Sequence, residues 1–244
     1  RVAAHASEML EMEAAIARAD LALAADGRAL SLKRLEILPA TRQRWVLRAW
    51  LRSQGLPVPA VATLAAAMRD MAVAAADRVP CTNWPGARLY RYRNRLYAEA
   101  EASCAARLEA GQWPQGSRFD LGALGTLELV PATGTGLDRA RLPEVLELTA
   151  RAEGEQFVPA GTTHVRPLRK WLQERGVLPW RRAQLPIFRS GGQIVAVGDL
   201  ACAAPYAARP GEPSLAIAWR GRPQFTETEA AEVKLGAIGW RFGD

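Results

Sequence analysis

The sequence predicts an α+β protein, an N-terminal helical bundle with a β-hairpin extension followed by a β-rich C-terminal domain with one main helix. Three observations lead there. Up to about residue 76, apolar residues recur at helical spacing between Pro and Gly breaks. From Ala87 the period shortens to two. The second half then sets short alternating runs between glycines and prolines, with one helical stretch. The organisation predicted is a helical domain with its hairpin over 1–110, a linker and short-strand region over 111–140, and an α+β domain over 141–244.

Met9, Leu10, Ala14, Ile16, Ala17 and Leu21 recur near helical spacing and predict a first helix over about 1–26, stopped by Gly27. "LSLKRLEILPA" reads as a short extended or helical connector ending at Pro39. A second helix starts near Thr41, with Trp45, Val46, Ala49 and Trp50 as its apolar stripe and Gly55 as its stop. The third, about Pro59 to Ala76, turns Val61, Leu64, Ala65, Met68, Met71 and Ala72 inward. In "ARLYRYRNRLYAE", strands near Arg88–Tyr92 and Arg95–Ala98 flank Arg93-Asn94, where a tight turn needs a residue tolerant of positive φ. Gly, Pro and Gln crowd Gly111–Gly116 and suggest the linker. Strands are predicted at Leu124–Pro131, Glu144–Arg151, Gln193–Cys202 and Ser214–Arg220, and a helix at Leu168–Arg175. No repeat at a fixed period is evident.

The net charge of +7 becomes informative once divided. Thr41–Arg52 carries +4, Cys81–Tyr97 carries +4 and Gly161–Arg182 carries +5, so the rest of the chain is net acidic. A GC-rich genome inflates arginine and fits the presence of only three lysines, Lys33, Lys170 and Lys234. It does not explain why acids avoid these windows. Clustered cations in an otherwise acidic chain are the footprint of a polyanion binder.

Other classes fare poorly. Three scattered cysteines give neither a disulfide framework nor a CxxC spacing, which points to the reducing cytoplasm. His5 and His164 lie far apart without neighbouring cysteines, so no zinc signature exists. No uncharged apolar run is long enough to span a bilayer, so no membrane partner is expected. A first residue of arginine, in a segment unlike a signal peptide, suggests a piece of something longer. Ser190-Gly191-Gly192 invites comparison with an ATP-pyrophosphatase loop, Ser-Gly-Gly-x-Asp-Ser between a strand and a helix, where amides cradle phosphate. Here Gln-Ile-Val-Ala-Val follows, which reads as a hairpin turn into a strand. Walker, dinucleotide and nucleophile-elbow patterns are absent. Asp199 reads as a turn acid.

Each basic window has a functional and a structural reading. Arg44, Arg48 and Arg52, at i, i+4 and i+8, line one flank of the second helix, as solvated charge or as phosphate contacts. In the hairpin, Tyr90 and Tyr92 share a face while Arg91 and Arg93 point the other way and Arg95 returns on the second strand. Arginine planes and tyrosine rings suit phosphate contact and base stacking, although the tyrosines suit a core equally well. In "RPLRKWLQERGVLPWRR", Trp171, Leu172, Trp180, Leu185 and Ile187 suit a core beneath outward Arg166, Arg169, Lys170, Arg181 and Arg182.

At these residues the sequence resembles the tRNA(Ile)-lysidine synthetase family. The likeness rests on "LRAWLRSQGLPVP", "ARLYRYRNRLYA", "RAEGEQFVPAG" and "RPLRKWLQERGVLPWRRAQLPIF" followed by "IVAVGDL". It covers nearly the whole chain, with Leu178 in place of a family proline and Ala183 where an acid is common. The resemblance implies an ATP-dependent ligase that adenylates the wobble cytidine of an isoleucine tRNA bearing a CAU anticodon and joins lysine to it. It also implies that ATP, Mg and lysine belong to an N-terminal catalytic domain, with no cofactor and no catalytic residue in this stretch. What remains is the tRNA-holding part, its C-terminal domain similar to a module of phenylalanyl-tRNA synthetase. By position, Arg169, Lys170, Trp180 and Arg182 match the family's basic helix and Trp turn. The competing reading is a scaffold module that docks an acidic protein or RNA in general, and a homodimer stays open.

Overall fold

Helical spacing, turn chemistry and strand alternation build two units, with the division in the chain falling between Cys104 and Ala105. The computed structural model describes residues 2–75 and 78–227. Ala76, the predicted end of the third helix, and 228–244, the end of the predicted C-terminal domain, lie outside the described residues. Among those described, no helix is long and apolar enough to cross a membrane.

The first unit begins with α1 (Val2–Ala24), a short antiparallel pair β1 (Ala25–Asp26) and β2 (Ala29–Ser31), and the single-turn α2 (Leu32–Glu36). Ser31 starts α2 because its hydroxyl accepts the Arg34 amide, at 3.4 Å. Next come α3 (Ala40–Ser53) and α4 (Val61–Val73). α3 buries Val46, Leu47, Trp50 and Leu51. The predicted stripe shifts by a residue: Trp45 and Ala49 are only half-buried. α4 turns Leu64, Ala67 and Met71 inward at i, i+3 and i+7, leaving Val61 and Ala72 exposed. α1 contributes Ala17, Asp20 and Ala24, while Met9 and Leu10 are exposed.

The predicted hairpin exists as β4 (Ala87–Tyr92) and β5 (Arg95–Ala100), with Tyr92 opposite Arg95 across the two-residue turn. It forms the middle of a five-stranded sheet. β3 (Cys81–Trp84) pairs with β4, β2 pairs with β5, and the order is β1-β2-β5-β4-β3. The flanking strands span two to four residues, too few for alternation to show in the sequence. α5 (Glu101–Ala105) ends this part.

In the second unit, β6 (Gly111–Pro114) pairs with β10 (Val145–Thr149). The stretch read as a linker is therefore built into a sheet. Its glycine admits a neighbour instead of loosening the chain, since a Cβ on Gly111 would overlap the Phe119 ring. Between them lie β7 (Phe119–Asp120), β8 (Thr126–Thr133) and β9 (Leu137–Asp138). β11 (Gln156–Phe157) pairs with β12 (Arg166–Pro167), which leads into α6 (Leu168–Glu174). β13 (Ile187–Ser190), β14 (Gln193–Val197), β15 (Ala201–Cys202) and β16 (Pro213–Arg220) complete the unit. The single strand predicted over Gln193–Cys202 is broken by a turn at Gly198, where φ is 52°.

Two sheets, β15-β14-β13-β10-β6 and β7-β8-β16-β9, share one core with α6. Trp113 packs on Phe188 at 5.2 Å, Phe157 meets Trp171 edge-on at 5.4 Å, and Trp219 packs on Phe225 at 4.7 Å. Their polar edges are provided for: Trp113 Nε1 donates to the Ser117 carbonyl at 3.0 Å and Trp219 Nε1 to that of Leu124 at 2.7 Å.

Gly125 and Gly116 separate two costs of a side chain. Both have positive φ, 91° and 80°, but a Cβ on Gly125 would run into the Arg220 carbonyl whereas Gly116 faces open space. Gly116→Ala should cost about 1 kcal/mol, the backbone penalty alone, and Gly125→Ala about 2 kcal/mol or more. Urea unfolding midpoints of the two variants check the order.

Candidate nucleic-acid interface

The hairpin arginines divide into structural and outward groups. Arg91 reaches the C-terminal end of α4, where its Nη1 donates to the carbonyls of Met71, Ala72 and Ala74, the last at 3.2 Å. Those carbonyls have no partner within the helix, and a cation there also suits the helix dipole. Arg95 Nε pairs with Asp26 at 2.5 Å, which raises the guanidinium's pKa. Arg93 occupies the turn, at φ 55°, exposed and with its guanidinium 5.2 Å from the centre of the Tyr92 ring. Tyr90, one of two rings expected to stack on bases, is buried and donates to Cys104 Sγ at 3.6 Å. Burial, and then Cys104, push its pKa well up.

On α3, Arg44 and Arg48 are half-buried and Arg52 is exposed, with Arg44 Nη2 donating to Thr41 Oγ1 at 3.1 Å. Arg42, in the same window, serves the fold instead. Its Nε donates to Asp20 at 2.6 Å, and Asp20 is only 2% exposed. A buried carboxylate in α1 thus accounts for one of the window's four charges.

The third window holds the main correction. Pro179–Gln184 forms a 3₁₀ turn, where the sequence suggested an extended one. Side chains three apart eclipse in such a turn, so Leu178, Arg181 and Gln184 all point inward. Arg181 is fully buried and donates through Nη1 to Gln184 Oε1 at 2.7 Å, while Gln184 Nε2 donates to the Ala106 carbonyl at 3.0 Å. The expectation that Arg181 faces solvent is overturned by that geometry. Arg182 is half-buried, and its Nε donates to the Val177 carbonyl at 3.0 Å, just beyond α6. Trp180 is half-buried as well.

α6 itself presents the outward cations. Arg169 and Lys170 are exposed in its first turn, beside buried Leu168, Trp171 and Leu172. Arg166 pairs with Glu174 across the helix, and Arg175 stacks over Trp171 at 5.2 Å. Cations in a first turn oppose the helix dipole, so the placement of Arg169 and Lys170 costs the fold stability.

Phosphate-loop and metal chemistry do not fit these residues. Ser190-Gly191-Gly192-Gln193 is the turn between β13 and β14, with Gly191 and Gly192 at φ 53° and 79° and Ser190 opposite Gln193. No helix follows to complete a phosphate cradle. Asp199 Oδ2 pairs with Arg222 Nε at 2.9 Å, which gives it a structural role. Among the described residues no group of three His, Cys, Asp or Glu side chains could hold a metal ion. Burial pushes the Cys202 thiol up to about 11 and raises that of Cys81, so neither is a thiolate at neutral pH.

Comparison with known proteins places both halves. The model of the TilS substrate binding domain matches residues 30–97, and that of the TilS substrate C-terminal domain matches 146–219. The chain belongs to the TilS family. Its relatives include a tRNA(Ile)-lysidine synthase of Alkalilimnicola ehrlichii, 35% identical over 224 residues, which cover 86% of this chain and 48% of the relative. Another, from Ralstonia nicotianae, is 34% identical over 213 residues, covering 82% and 46%. The chain thus spans about half the length of the curated relatives it matches. All twelve candidate residues fall inside the two TilS matches: Arg44, Arg48, Arg52, Arg91, Arg93 and Arg95 in the first, and Arg166, Arg169, Lys170, Trp180, Arg181 and Arg182 in the second.

Sequence reasoning missed the capping arginines. Arg34 Nη1 donates to the Leu23 and Ala25 carbonyls at 3.4 and 3.2 Å, closing α1 as Arg91 closes α4. The only sequence signal was Ser31 ahead of "LKRLE", which marks a helix start but not what its arginine reaches.

Burial separates two arginines of similar sequence appearance. Arg181→Ala should destabilise by about 2–3 kcal/mol, by removing packing and leaving Gln184 short of a partner. Arg169→Ala should stay within about 0.5 kcal/mol of the parent. Denaturant unfolding of both variants tests the assignment.

Proposed function

We propose that this chain is the tRNA-holding part of a lysidine-forming ligase. The substrate is an isoleucine tRNA with a CAU anticodon, whose wobble cytidine the parent enzyme adenylates with ATP and joins to lysine. The observation that carries the reading is the coincidence of both TilS domain matches with exposed cations that the fold does not need, Arg169 and Lys170 above all. ATP, magnesium and lysine belong to a catalytic domain outside this chain, and no step of the ligation is assigned to residues here. The part these residues play is electrostatic: they neutralise phosphates and set the orientation of the RNA, while base identity is read elsewhere. Arg166, which pairs with Glu174, Arg182, which donates to the Val177 carbonyl, and Trp180 are further candidate contacts for the RNA. The cytoplasm, where tRNA is modified, is the compartment that follows.

Counterion release makes this measurable. Each phosphate neutralised contributes about 0.7–0.9 to the slope of log affinity against log salt. Titrating the CAU isoleucine tRNA, with elongator methionine tRNA as comparison, should give a steep slope for the parent chain. Arg169→Gln with Lys170→Gln should lower it by about 1.4–1.8 and leave the unfolding midpoint equal or higher, because the charges that oppose the α6 dipole are gone. Binding that ignores salt would overturn the proposal.

A further inference from the structure

We infer that the loop between β11 and β12 gives the RNA a stacking contact beside the phosphate contact of α6, with the His164 ring as the platform for an unpaired base and Val165 next to it. This rests on the tRNA-binding reading above and adds to it what the same surface does with a base.

The loop has a fixed root and an exposed tip. At the root, Gln156 lies opposite Pro167 and Phe157 opposite Arg166, and Phe157 meets Trp171 of α6 edge-on. The first limb is held to the stretch around β15: the Ala160 amide donates to the Cys202 carbonyl at 2.9 Å, Pro159 lies opposite Ala203, and the Ala204 amide donates to the Val158 carbonyl at 2.8 Å. Thr162 then closes a turn on the Pro159 carbonyl, to which its amide donates at 3.2 Å and its hydroxyl at 3.0 Å. Gly161, at φ 80°, lets the chain reverse there. Every residue from Gly161 to Val165 is exposed, Val165 to 60%.

The chemistry of the tip differs from that of the helix it leads into. From Gln156 to Val165 no residue is an acid, an arginine or a lysine, whereas Arg166, Arg169 and Lys170 follow at once. Of the acids ahead of the loop, Glu155 pairs with Arg189 and Glu153 is exposed. An imidazole and an apolar side chain set against a cationic helix turn match the two parts of a nucleotide, a flat base and an anionic phosphate. Val165 is four residues from Arg169, at most about 14 Å of chain, so the two contacts serve one nucleotide and its neighbour. Covering Val165 with a base also removes apolar surface from water. Stacking on a ring tolerates any base, which leaves base identity to be read elsewhere.

The test uses the full chain and the CAU isoleucine tRNA, with filter binding at several salt concentrations and urea unfolding alongside. His164→Ala should weaken binding by about 5- to 100-fold at every salt concentration and leave the salt slope as it is. His164→Phe keeps an aromatic face and should restore most of the affinity. The unfolding midpoint should stay at the parent value in both variants, because the side chain is exposed. Unchanged affinity in His164→Ala, beside a steep slope in the parent chain, overturns the inference and leaves the tRNA reading standing. A lower slope in His164→Ala, or a loss that His164→Phe does not restore, also overturns it, since the ring then acts as a charge or a hydrogen-bonding group and not as a platform. If the parent chain shows no salt-dependent binding, the underlying reading fails and this one falls with it.

Discussion

Arginine bound to helix-end carbonyls is the interaction on which much of the rest depends. A helix leaves its last carbonyls without partners, and neither α1 nor α4 has a basic residue of its own in the last turn. The donors come from elsewhere in the chain. Arg34 reaches back from α2 to the end of α1, and Arg91 reaches from the middle of the sheet to the end of α4. Each such bond fixes a helix against the β-elements, so the position of the β4–β5 turn follows from where α4 ends. Arg182 makes a related bond to the Val177 carbonyl beyond α6 in the second unit.

That use of arginine changes what a basic window means. Charge clustering marked three stretches, yet within each the structure sorts the cations by what they touch. Arg42, Arg91, Arg95 and Arg181 meet a carboxylate, helix carbonyls or a buried amide. Arg52, Arg93, Arg169 and Lys170 are exposed. Net charge sums both kinds, but only the exposed kind can release counterions from RNA. Arg169 and Lys170 stand in a helix turn whose dipole disfavours them, and the fold gains no stability from their charge there.

Legibility in the sequence followed the same division. Hairpin turns could be read because their chemistry is local: Arg93-Asn94 stands within an alternating stretch and Gly191-Gly192 ahead of an apolar run, and both turns form. α6 could be read because Leu168, Trp171 and Leu172 keep helical spacing up to Gly176, which takes φ 67°. Arg181 could not, because its burial depends on a period of three carried by Leu178, Arg181 and Gln184, and two of those are polar. The strand at Gly111–Pro114 was hidden for the opposite reason. Its composition says loop, and only its pairing with Val145–Leu148 and the inward Trp113 make it sheet.

The two units reach a similar outcome by different means. In the first, a buried Asp20 and a paired Asp26 tie Arg42 and Arg95 to the fold, and Arg93 stands in the turn that joins the two central strands. In the second, tryptophans take the anchoring role, with Trp171 under α6 packed by Phe157 on one side and carrying Arg175 on another. A helix of seven residues has little stability of its own. It is the buried side, Leu168, Trp171 and Leu172, that keeps it folded while Arg169 and Lys170 oppose its dipole. A core strong enough to hold an electrostatically unfavourable helix turn in place is thus what keeps Arg169 and Lys170 presented to solvent.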